Sequence, residues 1–262
     1  MEEGSGHARA NGLRLLGVAH ETSGRFAEAD ECFEQSLALL RETGDRRNVG
    51  FMLNNLGVIA HLQGDYEAAV ARYGEALSIF RETGERTCEL PGLGNLAGAQ
   101  VGLGDYSAAE ANLRRAIAWA GPAGHFALSM IYCYLAESLC GQGKTEDSLE
   151  AARAALDLGL RTENQDYIGS AWRALGLIAS RSGSSVLIDD KSYSAAECFA
   201  ESLRVYTGMG AEAERARTLR EWARHELERG DAEWGASMRR EARAVFTRLG
   251  MERELERMSP SA

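Results

Sequence analysis

The run in this sequence that comes nearest to a known ligand-binding motif is Gly-Gln-Gly-Lys-Thr at residues 141–145. A phosphate-binding P-loop has the pattern G-x-x-x-x-G-K-[ST] and follows a strand. The first glycine of that pattern would fall at Ser138, and the run follows a helical pattern instead. We therefore interpret Lys144 and Thr145 as a turn and helix cap rather than as phosphate-binding residues.

The spacings of glycine, histidine and cysteine form no other reactive constellation. Gly92, Gly94 and Gly98 lack the spacing of a dinucleotide-binding fingerprint, and no strand pattern precedes them. No two histidines have the i, i+4 spacing of a helical metal site, and no two cysteines form C-x-x-C. Cys133 and Cys140 lie seven residues apart, on one side of a helix, which is typical of buried thiols. The sequence predicts no catalytic residue, no metal and no cofactor, and we do not expect an enzyme.

The charge distribution argues against nucleic acid as the main partner. The chain has 262 residues, 45% hydrophobic content and a formal net charge of −10. Residues 211–262 hold eleven arginines and eleven acidic residues, so the excess acid lies before them. No apolar run reaches membrane-spanning length, and the acidic start has no signal-peptide pattern. Together with five cysteines that form no disulfide framework, these features favour a cytoplasmic protein with no membrane partner.

A repeat present in six copies organises the sequence and must position any binding residue. One copy, residues 53–69, combines a Leu-Gly pair with a Gly-Asp-Tyr turn. The turn glycines Gly24, Gly64 and Gly104 follow one another at intervals of forty residues. The Leu-Gly pairs, or their equivalents, stand at residues 16–17, 56–57, 96–97, 135–136, 175–176 and 222–223. Such a period indicates a stacked repeat architecture.

Small residues recur at two places in the second half of each copy. The first place holds Ala29, Ala69, Ala109, Ser148, Ala195 and Gly235. The second place holds Ser36, Ala76, Ala116, Ala155, Ser202 and Ala242. Several copies put a bulky residue between these places, namely Phe33, Tyr73, Leu113 and Phe199. This pattern predicts two closely packed helices in each copy.

Over about residues 9–250 the chain resembles the tetratricopeptide repeat (TPR) family. Residues 172–176 match its W-x-x-L-G opening, and residues 64–66 with Ala69 match its central turn. The period is forty residues rather than about thirty-four, and glycines such as Gly44 and Gly84 replace the usual closing proline. The resemblance implies an all-α fold, a right-handed TPR superhelix (α-solenoid) of six helix-turn-helix repeats plus a C-terminal capping helix.

The repeats define the expected organisation of the chain. A lead is expected at residues 1–8, and a capping helix and tail at 251–262. The repeats are expected at about residues 9–46, 47–86, 87–125, 126–165, 166–210 and 211–250. Residues 182–193 form an insertion in the fifth repeat, where an Asp-Asp turn signal predicts a small hairpin or ordered loop that projects from the core. Gly94, Gly98 and Gly102 indicate either close helix packing or room for a ligand backbone.

The TPR resemblance implies where a partner would bind. In that family the first helix of each repeat, helix A, lines a concave wall, and matching positions carry over to this chain. The candidate partner-binding residues are Arg14, Asn54, Asn55, His61, Asn95, Tyr134 and Arg173. An asparagine amide both donates to and accepts from an extended peptide backbone. The simpler interpretation of each residue is a solvated polar side chain, but their recurrence predicts one continuous binding wall.

The resulting functional hypothesis is a non-catalytic scaffold that binds proteins or peptides in the helix A groove. Forty-residue copies joined by Arg-Glu-Thr-Gly at residues 41–44 and 81–84 resemble the C-terminal arrays of bacterial STAND-class signal-transduction ATPases. This resemblance implies the sensing or interaction region of a larger bacterial signalling or transcription regulator. The partner would be a protein, a peptide or another domain of the parent chain, and self-association is compatible with the sequence. The alternative is a free-standing TPR adaptor or peptide receptor.

Overall fold

The computed structural model describes residues 2–120 and 127–259, with side chains described from residue 6 onward. The chain divides into two compact units, Met1–Leu103 and Gly104–Ala262. Unit 1 contains α1 (Glu2–Thr22), α2 (Phe26–Glu42), α3 (Arg46–Gln63), α4 (Tyr66–Thr83) and α5 (Arg86–Leu103). Unit 2 contains α6 (Tyr106–Ala120), α7 (Leu128–Gly141), α8 (Thr145–Arg161), α9 (Gln165–Ser182), β1 (Val186–Ile188), β2 (Lys191–Tyr193), α10 (Ala195–Met209), α11 (Glu212–Arg229), α12 (Ala232–Arg248) and α13 (Glu252–Arg257).

The turns between helices form as the repeated glycines and aspartates predict. Gly64 ends α3 with φ 82°, a left-handed conformation that glycine adopts without steric cost. Asp65 then caps α4, because its Oδ1 accepts a hydrogen bond from the backbone N–H of Ala68 at 3.1 Å. At residue 144 the turn is present, but the Lys144 side chain makes no capping bond. A lysine ammonium group has no acceptor and therefore cannot cap helix N–H groups. The Lys144 Nζ instead forms an ion pair with Glu110 at 2.7 Å.

Paired helices approach closely where a glycine faces an aromatic ring. In unit 1, a Cβ built on Gly57 would lie 2.6 Å from the ring of Tyr73. In unit 2, a Cβ on Gly176 would lie 2.7 Å from the ring of Phe199. In the fourth repeat the position equivalent to Gly57 is Ala136. The position equivalent to Tyr73 is Ala152, so a small residue faces a small residue there. The prediction of close packing by alternating small and bulky residues is confirmed.

The glycines of α5 pack against α4 at both ends of the helix. A Cβ on Gly102 would lie 2.5 Å from the ring of Tyr66, and one on Gly92 would lie 2.9 Å from Leu77. Gly94 and Gly98 are buried. At Gly102 the close-packing interpretation is therefore the one that the structure supports.

The hydrophobic core of unit 1 lies between consecutive helices. Phe33 of α2, Leu53 of α3 and Phe80 of α4 are almost fully removed from solvent. Burying a side chain of this size contributes about 1.5–3 kcal/mol to folding. This cluster spans α1 to α4, and a second cluster with Tyr73 and Ala99 joins α3 and α4 to α5, so each helix of unit 1 takes part in a core shared with its neighbours.

In unit 2 the short helix α13 closes the last helix pair. Met251 and Met258, which flank α13, are buried in a cluster with Met238 and Phe246. The expected capping helix is present, but its inner face carries Glu254, whose side chain is fully buried. A charged residue at this place requires ion-pair partners, and α11 provides them.

The insertion forms a hairpin, but it packs against the helices. β1 and β2 pair antiparallel, and Asp189 and Asp190 form the turn with φ 45° and 61°. The prediction that this segment projects from the core is wrong, since Val186 is only 3% exposed. The ring of Tyr193 also lies 4.9 Å from that of Trp172 on α9. An apolar side chain on the inward face of a strand gains free energy by burial, which draws the hairpin onto the helices.

Two further expectations concern the limits of the repeats. The residues expected to form a lead, 1–8, belong to α1 from Glu2 onward. The expected boundary between the third and fourth repeats, at residues 125 and 126, lies outside the described residues. Of the helices in the described part of the chain, none combines the length and the apolar character needed to cross a membrane.

Candidate functional site

In unit 1 the candidate residues Asn54 and Asn95 bind each other. Asn54 lies on α3 and Asn95 on α5, which are the first helices of consecutive repeats. The Asn95 Nδ2 group donates to Asn54 Oδ1 at 3.2 Å, and both side chains are half-buried. The pair therefore ties one A helix to the next and uses part of the hydrogen-bonding capacity of both amides.

Asn55 differs from Asn54 and Asn95 because its side-chain amide forms no hydrogen bond with the described residues. It is half-buried on α3, and its side chain makes no hydrogen bond with any residue that the structure describes. A half-buried amide without a partner loses hydration without compensation. Such a group is the kind that a ligand backbone can satisfy.

Two further candidates in unit 1 already contact neighbouring side chains. The ring edge of His61 packs on Tyr66, with centroids 5.2 Å apart and planes at 77°. Arg14 Nη2 donates to Asn11 Oδ1 at 2.9 Å within α1. His61 thereby packs against the first residue of α4, whereas Arg14 remains on a partly solvated helix surface.

In unit 2 the candidate Arg173 is engaged in a nearly buried ion pair. Its Nη1 lies 2.6 Å from Glu214 Oε2, and its side chain is only 12% exposed. The guanidinium also lies over the ring of Tyr206, 5.8 Å from the centroid. Burial opposes ionisation of Glu214, but Arg217 and Arg173 outweigh it and hold the pKa of that carboxyl below its usual range. The charge of Arg173 is thus matched inside the protein.

Glu137 of α7 faces the same guanidinium at a longer distance of 4.0 Å. Burial raises the pKa of Glu137, although Arg173 lowers it. The remaining candidate, Tyr134, is half-buried on the same helix. The structure therefore places five candidates in unit 1 and two in unit 2, and their arrangement in one continuous wall stays a prediction.

A buried ionic cluster on α11 and α13 was absent from the candidates. Arg217 Nε lies 2.7 Å from Glu254 Oε1, and Arg220 pairs with the other oxygen of the same carboxylate. Burial opposes ionisation of Glu254, but Arg220 and Arg217 lower its pKa to about 2. The sequence did hold a signal, since a polar residue on an A helix has its partner about one repeat later, on the next A helix or on the capping helix. The separations are 41 residues for Asn54 and Asn95 and 37 for Arg217 and Glu254.

The cysteines of α7 are positioned as structural thiols. Cys133 and Cys140 are buried, and Cys133 Sγ donates to the carbonyl of Tyr167 on α9 at 3.7 Å. Burial raises the pKa of both thiols, which keeps them in the less reactive protonated form. Within residues 2–120 and 127–259, His, Cys, Asp and Glu side chains form no group of three that could hold a metal ion.

Comparison with known families finds a match in the first part of the chain. The tetratricopeptide repeat family matches residues 13–47 and 48–119. The chain is therefore similar to the tetratricopeptide repeat family over residues 13–119, and its all-α repeat fold agrees with that similarity. A comparison with curated proteins finds no match.

Several solved structures share this fold. The apo form of RapI has 14% identity and a TM-score of 0.76, with 92% of this chain and 85% of that chain covered. Aspartyl phosphate phosphatase F from Bacillus subtilis has 12% identity and a TM-score of 0.73, with 91% and 60% covered. A Rap protein in complex with competence and sporulation factor has 12% identity and a TM-score of 0.69, with 92% and 76% covered. At these identities the similarity concerns the fold alone.

Proposed function

We propose that this chain is a non-catalytic scaffold whose A helices bind a protein or an extended peptide. The observation that carries the proposal is the half-buried amide of Asn55, which forms no hydrogen bond with the described residues and follows Asn54 of the Asn54–Asn95 pair in the sequence. An extended peptide offers an alternating row of N–H and C=O groups, which an amide can bind from both its atoms. The tetratricopeptide repeats support this role, because they are a protein-interaction architecture.

The Asn54–Asn95 bond supports the same role by fixing the geometry of the site. It holds α3 and α5 together before any ligand arrives, which reduces the ordering cost of binding. Arg173 acts in a comparable way in unit 2, since its pairing with Glu214 joins α9 to α11. We assign to Asn55 the role of contacting the ligand, and to Asn54, Asn95 and Arg173 the role of positioning the helices.

We further propose that the ligand controls a larger cytoplasmic regulator of the bacterial signalling type. A Rap protein with this fold is known in complex with competence and sporulation factor, which supports a ligand-sensing role. The hypothesis of a STAND-class parent protein makes a separate claim about gene structure. An ATPase domain encoded in the same open reading frame would support it, and a frame limited to the repeats would favour the free-standing adaptor.

The test of the proposal is a peptide selection followed by titration. The purified chain is used to select binders from a displayed library of random extended peptides, and the affinity of the selected peptides is measured by fluorescence polarisation. Replacement of Asn55 by alanine should weaken binding by about 1–3 kcal/mol, the cost of leaving buried backbone groups of the peptide unpaired.

The matched control is Glu31→Ala on α2, an exposed residue of the second helix of its repeat. This variant should bind the selected peptides like the parent chain. Equal affinity of the Asn55→Ala variant, with a loss in Glu31→Ala or Glu34→Ala instead, would move the site to the second helices and contradict the proposal.

A further inference from the structure

A small open cleft in unit 2 lies between the last turns of α9 and α11. Its volume is about 240 Å³, below the ~300–1,000 Å³ of sites for drug-sized ligands. The lining residues are Ser180, Arg181, Arg224, Glu228 and Arg229. Three guanidinium groups therefore surround a space that suits a small chemical group.

The charge of this cleft is unusual in an acidic chain with a net charge of −10. Neither Arg181 nor Arg229 forms an ion pair with a carboxylate of the described residues. Arg224 pairs with Glu221 at 2.6 Å, and Arg220 also pairs with that carboxylate at 2.9 Å. The positive charge at the cleft is thus only partly compensated within the protein.

Backbone contacts hold two of the arginines in place. Arg181 Nη1 donates to the carbonyl of Cys140 at 2.7 Å, and Arg229 Nη1 donates to the carbonyl of Ser180. A guanidinium has five N–H donors, so both arginines keep donors for a ligand. The carbonyls at helix C-termini carry about half a unit of negative charge, which reduces the charge of these arginines without cancelling it.

The hydroxyl of Ser180 adds a neutral donor to the lining. Its Oγ lies 2.9 Å from His225 Nδ1, and either atom can be the donor. When His225 Nδ1 carries the proton, the Ser180 hydroxyl accepts that bond and directs its own hydrogen elsewhere. The cleft then offers one hydroxyl and several guanidinium N–H groups to the same ligand.

We propose that this cleft binds a phosphate group. A phosphate carries a charge of about −1.5 to −2 and several acceptor oxygens in tetrahedral arrangement, so it can engage more than one guanidinium fork. A carboxylate carries a single charge and two oxygens, so it is matched by one guanidinium group and should bind this cleft more weakly than a phosphate. Glu228 opposes the anion and sets the affinity to a moderate value. The site does not depend on the peptide-binding role assigned to Asn55.

The experiment is a calorimetric titration with inorganic phosphate at constant ionic strength, repeated with O-phosphoserine and with acetate. The parent chain should bind phosphate in a saturable manner and more tightly than acetate. Binding of O-phosphoserine with similar affinity identifies a phosphorylated partner as the source of the group, whereas binding of phosphate alone identifies the free ion. Absence of saturable phosphate binding, or equal binding of acetate, overturns the proposal.

Substitutions that should weaken phosphate binding and one that should strengthen it test the location of the site. Arg224→Gln should weaken phosphate binding by about tenfold or more, the effect of losing one charge-assisted hydrogen bond. Its only ion pair in the described part of the chain is with Glu221 on its own helix, so the fold is expected to tolerate the change. Glu228→Gln should tighten binding, because it removes the opposing negative charge. A double variant, Arg181→Gln with Arg229→Gln, should abolish binding.

The matched control is Arg248→Gln on α12, which changes the net charge by the same amount outside the lining of the cleft. It should bind phosphate within about twofold of the parent chain, since exposed charges beyond a Debye length are screened. Circular dichroism establishes that each variant is folded. Unchanged affinity in Arg224→Gln, or weaker binding in Glu228→Gln, places the anion elsewhere and contradicts the proposal.

Discussion

Arg173 of α9 donates to Glu214 of α11 at 2.6 Å, and this pair spans 41 residues of sequence. The same separation joins Asn54 to Asn95 in unit 1. In each case a polar side chain of one A helix bonds to the A helix of the following repeat. Polar residues on these helices therefore fix the spacing of the repeats, and only those without such a partner are fully available to a ligand.

Separate replacement of Asn55 on α3 and Asn95 on α5 should distinguish a residue that is available to a ligand from one that joins the helices. Asn95→Ala removes the bond to Asn54 and should lower the free energy of unfolding by about 0.5–1.5 kcal/mol. Asn55→Ala should change it by less than about 0.5 kcal/mol, because the amide has no partner in the described structure. Urea denaturation of both variants measures the difference. A larger loss for Asn55→Ala would show that its side chain is structural.

Addition of a single methyl group should disturb the close contact between α3 and α4. Gly57→Ala puts a Cβ within 2.6 Å of the Tyr73 ring, and the overpacking should cost about 1–3 kcal/mol. The third repeat has Ala97 and Leu113 at the equivalent sequence positions. Tyr73→Leu should therefore partly rescue Gly57→Ala, with a coupling of about 0.5–3 kcal/mol in a double-mutant cycle. Additive effects of the two changes would contradict this packing account.

Loss of the buried carboxylate on α13 should destabilise unit 2. Glu254→Gln removes the carboxylate that Arg217, itself only 6% exposed, shares with Arg220, and leaves Arg217 with Glu214 as its remaining charged partner among the described residues. Removing one member of a buried ion pair costs about 3–5 kcal/mol, which thermal unfolding can detect. Glu252→Gln, on the exposed side of α13, is the control and should have little effect. Similar melting curves for the two variants would mean that the pair does not hold α13.

The contribution of Glu254 should depend on pH in a defined direction. Its pKa is about 2 in the folded chain, against an ordinary value of 4.5. Because the folded pKa is the lower one, this stabilisation is fully present above about pH 4.5 and is lost as the pH falls toward 2. The difference in unfolding free energy between the parent chain and Glu254→Gln should therefore be constant from pH 7 to 5 and decrease below that. A difference that grows on acidification would reverse the assigned sign.

Contacts of the hairpin should contribute measurably to stability. Tyr193→Ala removes the ring contact with Trp172 and should cost about 0.5–1.5 kcal/mol beyond the loss of buried area. Ser192→Ala, on the exposed neighbouring residue, should change stability by less than about 0.5 kcal/mol. Chemical denaturation compares the two. Equal stability of both variants would restore the picture of a segment that projects from the core.

The sequence by itself determined the repeat, the helix pairs and their turns. Gly64 and Asp65 could be placed in advance because a left-handed residue and an N-cap are local requirements of the backbone. The bulky Tyr73 between the small residues Ala69 and Ala76 was predicted as well, whereas its close contact with Gly57 came from the structure.

Only the tertiary structure decided which polar residues are available and which are bonded. Asn54 and Asn55 are adjacent and chemically identical, but only Asn54 meets a side chain of α5. Glu254 lies in the predicted capping helix, and only the structure shows that it is buried between Arg217 and Arg220. Val186 of the hairpin is likewise buried, which its position in an insertion did not indicate. These outcomes depend on contacts between residues about one repeat apart or more, which local pattern and propensity do not specify.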